Sequence, residues 1–277
     1  TEALSESISA KQNSDAYETL ADIYLYWNQF DLAVTNYEIS MQSNTTVGKK
    51  LKLANALRLN KNYQESLNTY NDIEFKILSN YQKVELYEGI GDVNKDINNF
   101  IEAINAYKKG LEVAQKHLIT PKITDLNSKI ADAYGDGGQL EEAESYYDNS
   151  LNLASQENKT RSIKEKVKVA DFQNKTEAYS DEIQLRKEVL EDIGVIEVDS
   201  IIDNESDITP QKQNYKIGNA YFLQRNYTEA IPYLEKSIEE ADSREDLIVK
   251  KDATRKLSEL FRNSGDYEKA LKAYEDY

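Results

Sequence analysis

The sequence predicts an all-α protein, a right-handed α-solenoid of about seven antiparallel helix pairs. Three observations carry that expectation. The composition suits helices with solvated outer faces: of 277 residues only 10 are Gly and 3 are Pro, 39% are hydrophobic and 30% charged. The stretch "LADIYLYWNQFDLAVTNYEIS", residues 20–40, returns in form as "LSELFRNSGDYEKALKAYEDY", residues 257–277. Between them the same form recurs at a nearly fixed step, the signature of a repeat architecture.

Aligning the large residue that follows each turn gives Phe30, Tyr63, Phe100, Leu140, Tyr179, Tyr227 and Tyr267, spaced by 33, 37, 40, 39, 48 and 40 residues. Nine residues upstream stand Ala21, Ala54, Gly91, Ala131, Ala170, Gly218 and Ser258, all small. Three downstream stand Ala33, Ser66, Ala103, Ala143, Glu182, Ala230 and Ala270, and four further Tyr37, Tyr70, Tyr107, Tyr147, Arg186, Leu234 and Tyr274. Small residues facing each other let two helices approach closely, while bulky ones fill the space between layers. The fifth repeat departs most, with Glu182 and Arg186 in place of a small residue and an aromatic.

This pattern resembles the tetratricopeptide repeat, W-x2-L-G-x2-Y…A-x3-F…P. Counted from that family's first position, units begin near Ser14, Val47, Val84, Thr124, Ile163, Gln211 and Lys251, so the array spans 14–277. Most of the 20 tyrosines fall on template positions, where they read as packing residues.

In chain order, residues 1–13 place Leu4 and Ile8 at helical spacing before a break expected at Asn13–Ser14. They read as a capping helix or the last helix of an earlier repeat. Thr120-Pro121 and Thr209-Pro210 read as an N-cap followed by proline at the first helical position. "GDGGQLEE" and "NSGDYEK" read as tight turns in which glycine takes left-handed geometry. Pro232 falls inside a helix, where it removes one backbone hydrogen bond and is expected to bend it. Steps near 40 predict helices about a turn longer than the minimal repeat. Residues 191–210, "EDIGVIEVDSIIDNESDITP", read as an irregular insertion, a longer helix followed by a loop. The chain stops inside a second helix, which predicts continuation beyond Tyr277.

Several chemistries find no support. The chain has no Cys and a single His, His117, so the usual zinc ligand sets cannot be assembled and a serine triad has no elbow to work from. "DVNKDINNFIEA" spaces Asp92, Asn94, Asp96 and Asn98 like a calcium loop but puts Ile97 at the glycine position and Ala103 at the glutamate position. "GDGGQ" lacks the P-loop lysine. No cofactor, metal site or catalytic residue is expected. With 34 Lys and Arg against 50 Asp and Glu, the net charge of −16 opposes nucleic acid and anionic membrane surfaces. Mean hydropathy is −0.73, and no stretch approaches the ~18 apolar residues of a membrane span.

The resemblance also implies where function lies. In that family, positions 2, 5, 9, 12 and 13 of each first helix line a groove that binds peptides or partner helices. Position 9 is Asp22, Asn55, Asp92, Asp132, Asp171, Asn219 and Glu259 here, each able to accept from a ligand's backbone N–H. Asp15, Glu18, Glu85, Glu88, Asp96, Asp125 and Asp136 add acidic charge to the earlier repeats, while Lys164, Lys175, Lys212, Arg255 and Arg262 occupy later ones. Tyr26, Tyr215 and Phe222 are the aromatic candidates. The expected partner is a protein or peptide, basic or amphipathic, with a homodimer also compatible.

Helices of this type resemble sensor regions of bacterial membrane-bound histidine kinases, quorum-sensing phosphatase regulators and activators with helical-repeat ligand domains. The resemblance implies a non-catalytic sensor region of a signalling histidine kinase, outside the cytoplasm. The alternative is a free-standing adaptor or lipoprotein that scaffolds an assembly, with a cytoplasmic setting open to either.

Overall fold

The computed structural model describes residues 2–195 and 208–275. Among them fourteen α-helices run in pairs: α1 (Glu2–Tyr26), α2 (Phe30–Ser43), α3 (Val47–Leu59), α4 (Tyr63–Asn71), α5 (Asn80–Asp96), α6 (Phe100–Lys116), α7 (Thr120–Asp136), α8 (Leu140–Glu157), α9 (Lys159–Lys175), α10 (Tyr179–Val195), α11 (Pro210–Leu223), α12 (Tyr227–Ser243), α13 (Leu247–Ser264) and α14 (Tyr267–Glu275). A 3₁₀ turn, Phe75–Ile77, follows α4. The fold is a solenoid of helix pairs, as the sequence predicts.

The register is the expected one. All seven aligned turn residues are the first residues of second helices. Each turn places a left-handed residue two positions earlier: Asn28, Lys61, Asn98, Gly138, Glu177, Arg225 and Gly265. A backbone bond then closes each turn, for example Asn99 N to the Asn94 carbonyl at 2.8 Å and Asp266 N to the Phe261 carbonyl at 2.9 Å. This is the six-to-one closure common at helix ends. Only Gly138 and Gly265, at φ +80° and +83°, adopt that conformation without steric cost, and they are the glycines of "GDGGQ" and "NSGDY".

The small positions pack as anticipated. Ala21, Ala33, Ala54, Ala103, Ala131, Ala143, Ala170 and Ala230 are fully buried. A Cβ on Gly91 would overlap the Tyr107 ring, and one on Gly218 would press on Leu234. Where serine takes a small position, its hydroxyl donates to the carbonyl facing it: Ser66 to Ala54 at 2.6 Å and Ser258 to Ala270 at 2.8 Å. Helices α5 to α10 have 17 or 18 residues each, the lengthening implied by the longer step.

Several local expectations change. Helix α1 runs through Asn13–Ser14 without a break, because Ser14 is buried against α2. Its hydroxyl donates to the Ser40 carbonyl and accepts from the Lys49 ammonium, so tertiary contact overrides weak local propensity. Thr209 stands at the N-cap position of α11 with Pro210 first in the helix, but its hydroxyl makes no capping hydrogen bond, and α7 begins at Thr120 with Ile119 as its N-cap. Helix α12 continues through Pro232. Of the insertion expected at 191–210, residues 191–195 extend α10, and Ile208 joins a core with Ile163, Val167, Val189 and Ile193. Residues 196–207 lie outside the described residues.

The chain divides into two compact bodies, residues 1–146 and 147–277, with the boundary inside α8. In the first body α3 contacts α5 and α5 contacts α7, so successive first helices lie side by side. In the second α11 contacts α13 in the same way. Those first helices carry the residues of functional interest.

Candidate functional site

Position 9 of the first helices is where the structure adds most. The expectation is a row of acceptors awaiting a ligand's backbone. Instead, the acids of three repeats are engaged within the array. Tyr107 donates its hydroxyl to Asp92 Oδ1 at 2.8 Å, and Tyr37 donates to Asp22 in the same way. From the following repeat Lys129 reaches Asp92 at 2.6 Å and Glu88 at 3.2 Å, while Lys52 reaches Asp22 at 2.8 Å and Glu18 at 2.9 Å. Each acid is therefore held from two sides, by the tyrosine of its own second helix and by a lysine of the next first helix.

The electrostatics follow this geometry. Burial works against the Lys129 ammonium, but Asp92 and Glu88 outweigh it and hold the group above the ordinary lysine value. Burial likewise works against ionised Glu88, yet Lys129 and Lys122 pull its carboxyl below the usual range. Burial raises the Tyr37 hydroxyl, with the Asp22 hydrogen bond and charge next; for Tyr107 burial leads and the Asp92 charge and hydrogen bond follow.

The fifth repeat, the poorest match in sequence, keeps this arrangement with different chemistry. Arg186 stands where the tyrosine belongs and donates to Asp171 at 2.5 Å, to Glu182 at 2.7 Å and to Gln213 at 3.0 Å. Glu182, at the small position, is fully buried and also accepts from Asn174 at 2.8 Å. Lys216 of the next repeat reaches Asp171 at 2.8 Å. The unexpected glutamate balances the unexpected arginine, and the acid at position 9 remains pinned between two donors.

The lysines that make these contacts were not singled out from sequence, though their signal is present there. Position 6 is Lys52, Lys129, Lys168, Lys216 and Lys256 in five of the six following repeats, and Gly89 in the third. A second set of pairs runs from position 12 to position 13 of the next repeat: Arg58 to Asp96 at 2.8 Å and Lys95 to Asp136 at 3.2 Å.

The other candidates are dispersed. Asn55 accepts from Arg58 at 3.2 Å, and Glu259 accepts from Lys256 at 3.2 Å. Asp132 and Asn219 are half-buried on α7 and α11. Phe222 tilts against Tyr227 with ring centroids 5.6 Å apart and carries the Lys256 ammonium 4.5 Å above its ring. Tyr215 is half-buried, its hydroxyl raised by burial and by Asp252. Tyr26, at the end of α1, is 85% exposed and is not gathered with the others. His117 caps the C-terminus of α6, its Nδ1 3.1 Å from the Asn80 amide.

A cavity of about 240 Å³ opens on the first-helix face of the N-terminal body, lined by Leu51, Lys52, Asn55, Tyr70, Glu85, Glu88, Gly89, Asp92 and Lys122. A hollow of about 470 Å³ in the C-terminal body is lined largely by α10, with Lys187 lying over the rings of Tyr221 and Tyr233.

Residues 84–117, 124–157 and 210–277 match models of the tetratricopeptide repeat. No curated protein is similar to the chain in sequence. Among solved structures, a signal-transduction ATPase with a tetratricopeptide-repeat sensor from Pyrococcus horikoshii superposes with a TM-score of 0.77 at 17% identity, over 97% of this chain and 42% of that one. The chain thus spans less than half of that protein. The apo form of RapI gives 0.72 at 16% identity, over 95% and 74%. NprR in complex with its cognate peptide NprX gives 0.51 at 15% identity, over 96% and 76%. At these identities the likeness concerns the fold.

Proposed function

We propose that this tetratricopeptide-repeat chain is a non-catalytic regulatory module that binds a basic or amphipathic protein segment on the face formed by α1, α3, α5 and α7. The observation that carries the reading is that this face, built from side-by-side first helices, is charged and notched. Its acids at Asp15, Asp96 and Asp136 keep side-chain exposures of 58%, 34% and 37%. The similar folds include one protein described as having a repeat sensor and one complexed with a peptide, which favours a sensor over a passive scaffold. The finer form of the proposal, the sensor region of a bacterial histidine kinase, rests on the resemblance of the helix pattern. The gene around this segment tests it directly, through an apolar span and kinase core in the same reading frame.

Binding is tested by selecting displayed random peptides on the chain and measuring their affinity for two variants of equal net charge. One carries Asp15→Asn, Asp96→Asn and Asp136→Asn on the first-helix face. The other carries Glu65→Gln, Glu102→Gln and Glu141→Gln, exposed on second helices. Roughly tenfold weaker binding is expected for the first set only, a loss of about 1.4 kcal/mol, with affinity falling as salt shortens the screening length from ~10 Å at 0.1 M to ~3 Å at 1 M. Equal losses in both sets overturn the reading.

A further inference from the structure

The lysine at position 6 recurs in every following repeat but one. In the third repeat that position is Gly89, and the acid it would meet on the second repeat is replaced by neutral Asn55. At three other joints Lys52, Lys129 and Lys216 reach an acid of the preceding first helix; here the cavity of about 240 Å³ opens. Cavities for drug-sized ligands run ~300–1,000 Å³, so this one matches a side chain better than a whole molecule.

Two groups on its wall make no side-chain hydrogen bond or salt bridge among the described residues. Tyr70 occupies the position from which Tyr37 and Tyr107 donate to an aspartate. It is 3% exposed, and its ring lies where a Cβ on Gly89 would stand. No acid stands at position 9 of its own repeat, and the Asn55 carbonyl already accepts from Arg58. The Tyr70 side chain therefore lines the cavity with no hydrogen bond from its hydroxyl among the described residues. Glu85 is the second group. Glu88 is held by Lys122 at 2.6 Å and Lys129 at 3.2 Å, and Asp92 by Lys129, but Glu85 makes no salt bridge. Burial holds its carboxyl above the usual range, more than the charge of Lys122 can offset. The wall, which also includes Lys52 and Lys122, thus presents a carboxylate without a salt bridge and a hydroxyl without a hydrogen bond around a space that Lys52, Lys129 and Lys216 fill at their own joints.

We infer that the notch at Gly89 is a subsite for one cationic side chain, a lysine or arginine, of the polypeptide that binds the first-helix face. The incoming cation takes the place of the absent position-6 lysine, and Glu85 supplies the countercharge, with the Tyr70 oxygen as a further acceptor. This rests on the peptide-binding reading above and narrows it to a residue and a place.

The test uses the intact chain and a capped pentapeptide, acetyl-Ala-Ala-Lys-Ala-Ala-amide, with norleucine in place of lysine as its uncharged counterpart and n-butylamine as the free amine. Amide chemical shifts of Gly89 and Glu85 report occupancy. The lysine peptide is expected to shift both saturably, the norleucine peptide to bind at least tenfold more weakly, and butylamine several-fold more weakly than the lysine peptide. Glu85→Gln is expected to cost the lysine peptide about tenfold. Tyr70→Phe, which keeps the ring in place beside Gly89, is expected to cost a smaller factor. Equal binding of the norleucine peptide overturns the inference, because the notch is then only room for the Tyr70 ring. Butylamine binding as tightly as the peptide overturns it in favour of a free-amine site. If neither variant moves the lysine affinity, the inference fails. If it fails while selected peptides still depend on Asp15, Asp96 and Asp136, the notch alone is rejected and the binding face stands.

Discussion

Replacing Arg186 with leucine tests the account of the fifth repeat most sharply. Arg186 and Glu182 are 1% and 0% exposed, and the guanidinium serves Glu182, Asp171 and Gln213 at 2.7, 2.5 and 3.0 Å. Leucine keeps apolar bulk but leaves the Glu182 carboxylate buried with only the Asn174 amide as donor. Breaking such a pair from one side costs about 3–5 kcal/mol, whereas replacing both partners with packed uncharged residues is neutral or stabilising by about 1–4 kcal/mol. The double variant Glu182→Ala with Arg186→Tyr copies Ala103 and Tyr107 of the third repeat, and its new hydroxyl lies within reach of Asp171 as Tyr107 is of Asp92. Urea unfolding gives the comparison. With m of ~1–3 kcal/mol/M, the single variant should lose on the order of 1 M or more in midpoint, and the double variant should recover it. Because repeat arrays can unfold in parts, amide exchange in α9 and α10 should report the loss locally. A single variant within about 1 kcal/mol of wild type, or a double variant as unstable as the single, refutes the reasoning.

Further outcomes follow from neighbouring contacts. Lys129→Met, which keeps the stem and removes the charge, should cost about 1–3 kcal/mol by leaving Asp92 with Tyr107 alone and Glu88 with Lys122 alone, measured by thermal melting. Gly91→Ala should destabilise by driving a methyl into the Tyr107 ring, while Gly194→Ala, with nothing near its Cβ, should stabilise by about 0.5–1 kcal/mol; like signs in urea midpoints contradict the packing described. Glu177→Gly should gain on the order of 1 kcal/mol by relieving a φ of +61°. The acid limb of stability is set by carboxyls held low: burial opposes ionised Asp171, but Lys216 and Arg186 outweigh it and leave its pKa depressed. A depressed folded value means stability that is complete above the unfolded value of ~3.9 and lost as pH falls through the lower folded one. Urea midpoints should therefore hold from pH 7 to about pH 5 and drop below pH 4.

Fold and register were legible because they rest on a local code repeated seven times. The turn residue from Phe30 to Tyr267 and the small residue nine positions before it mark each helix start and each close approach. The continuity of α1 was not legible, since Asn13 and Ser14 resemble a boundary locally and only contact with Ser40 and Lys49 decides against one. Nor was the engagement of position 9 by the array. An aspartate facing a ligand and an aspartate facing a tyrosine fifteen residues later and a lysine thirty or more residues later look alike in a single helix. Comparing position 6 across repeats separates them. The fifth repeat looked degenerate because Glu182 and Arg186 each violate the pattern, and only their burial side by side shows that the two departures cancel.

The contacts between position 9 and the following position 6 carry a consequence for how such a chain changes over generations. Repeat arrays lengthen and shorten by recombination between similar segments, which presumes interchangeable modules. Here they are matched to their successors. Excising the second repeat would set Gly89 after Asp22 and leave an acid without its cation. Excising the third would set Lys129 after Asn55 and leave a cation without its acid. The order of the repeats is therefore part of what the sequence specifies, and the joint between the second and third, with Gly89 after Asn55, is the one where both the acid and the cation are absent.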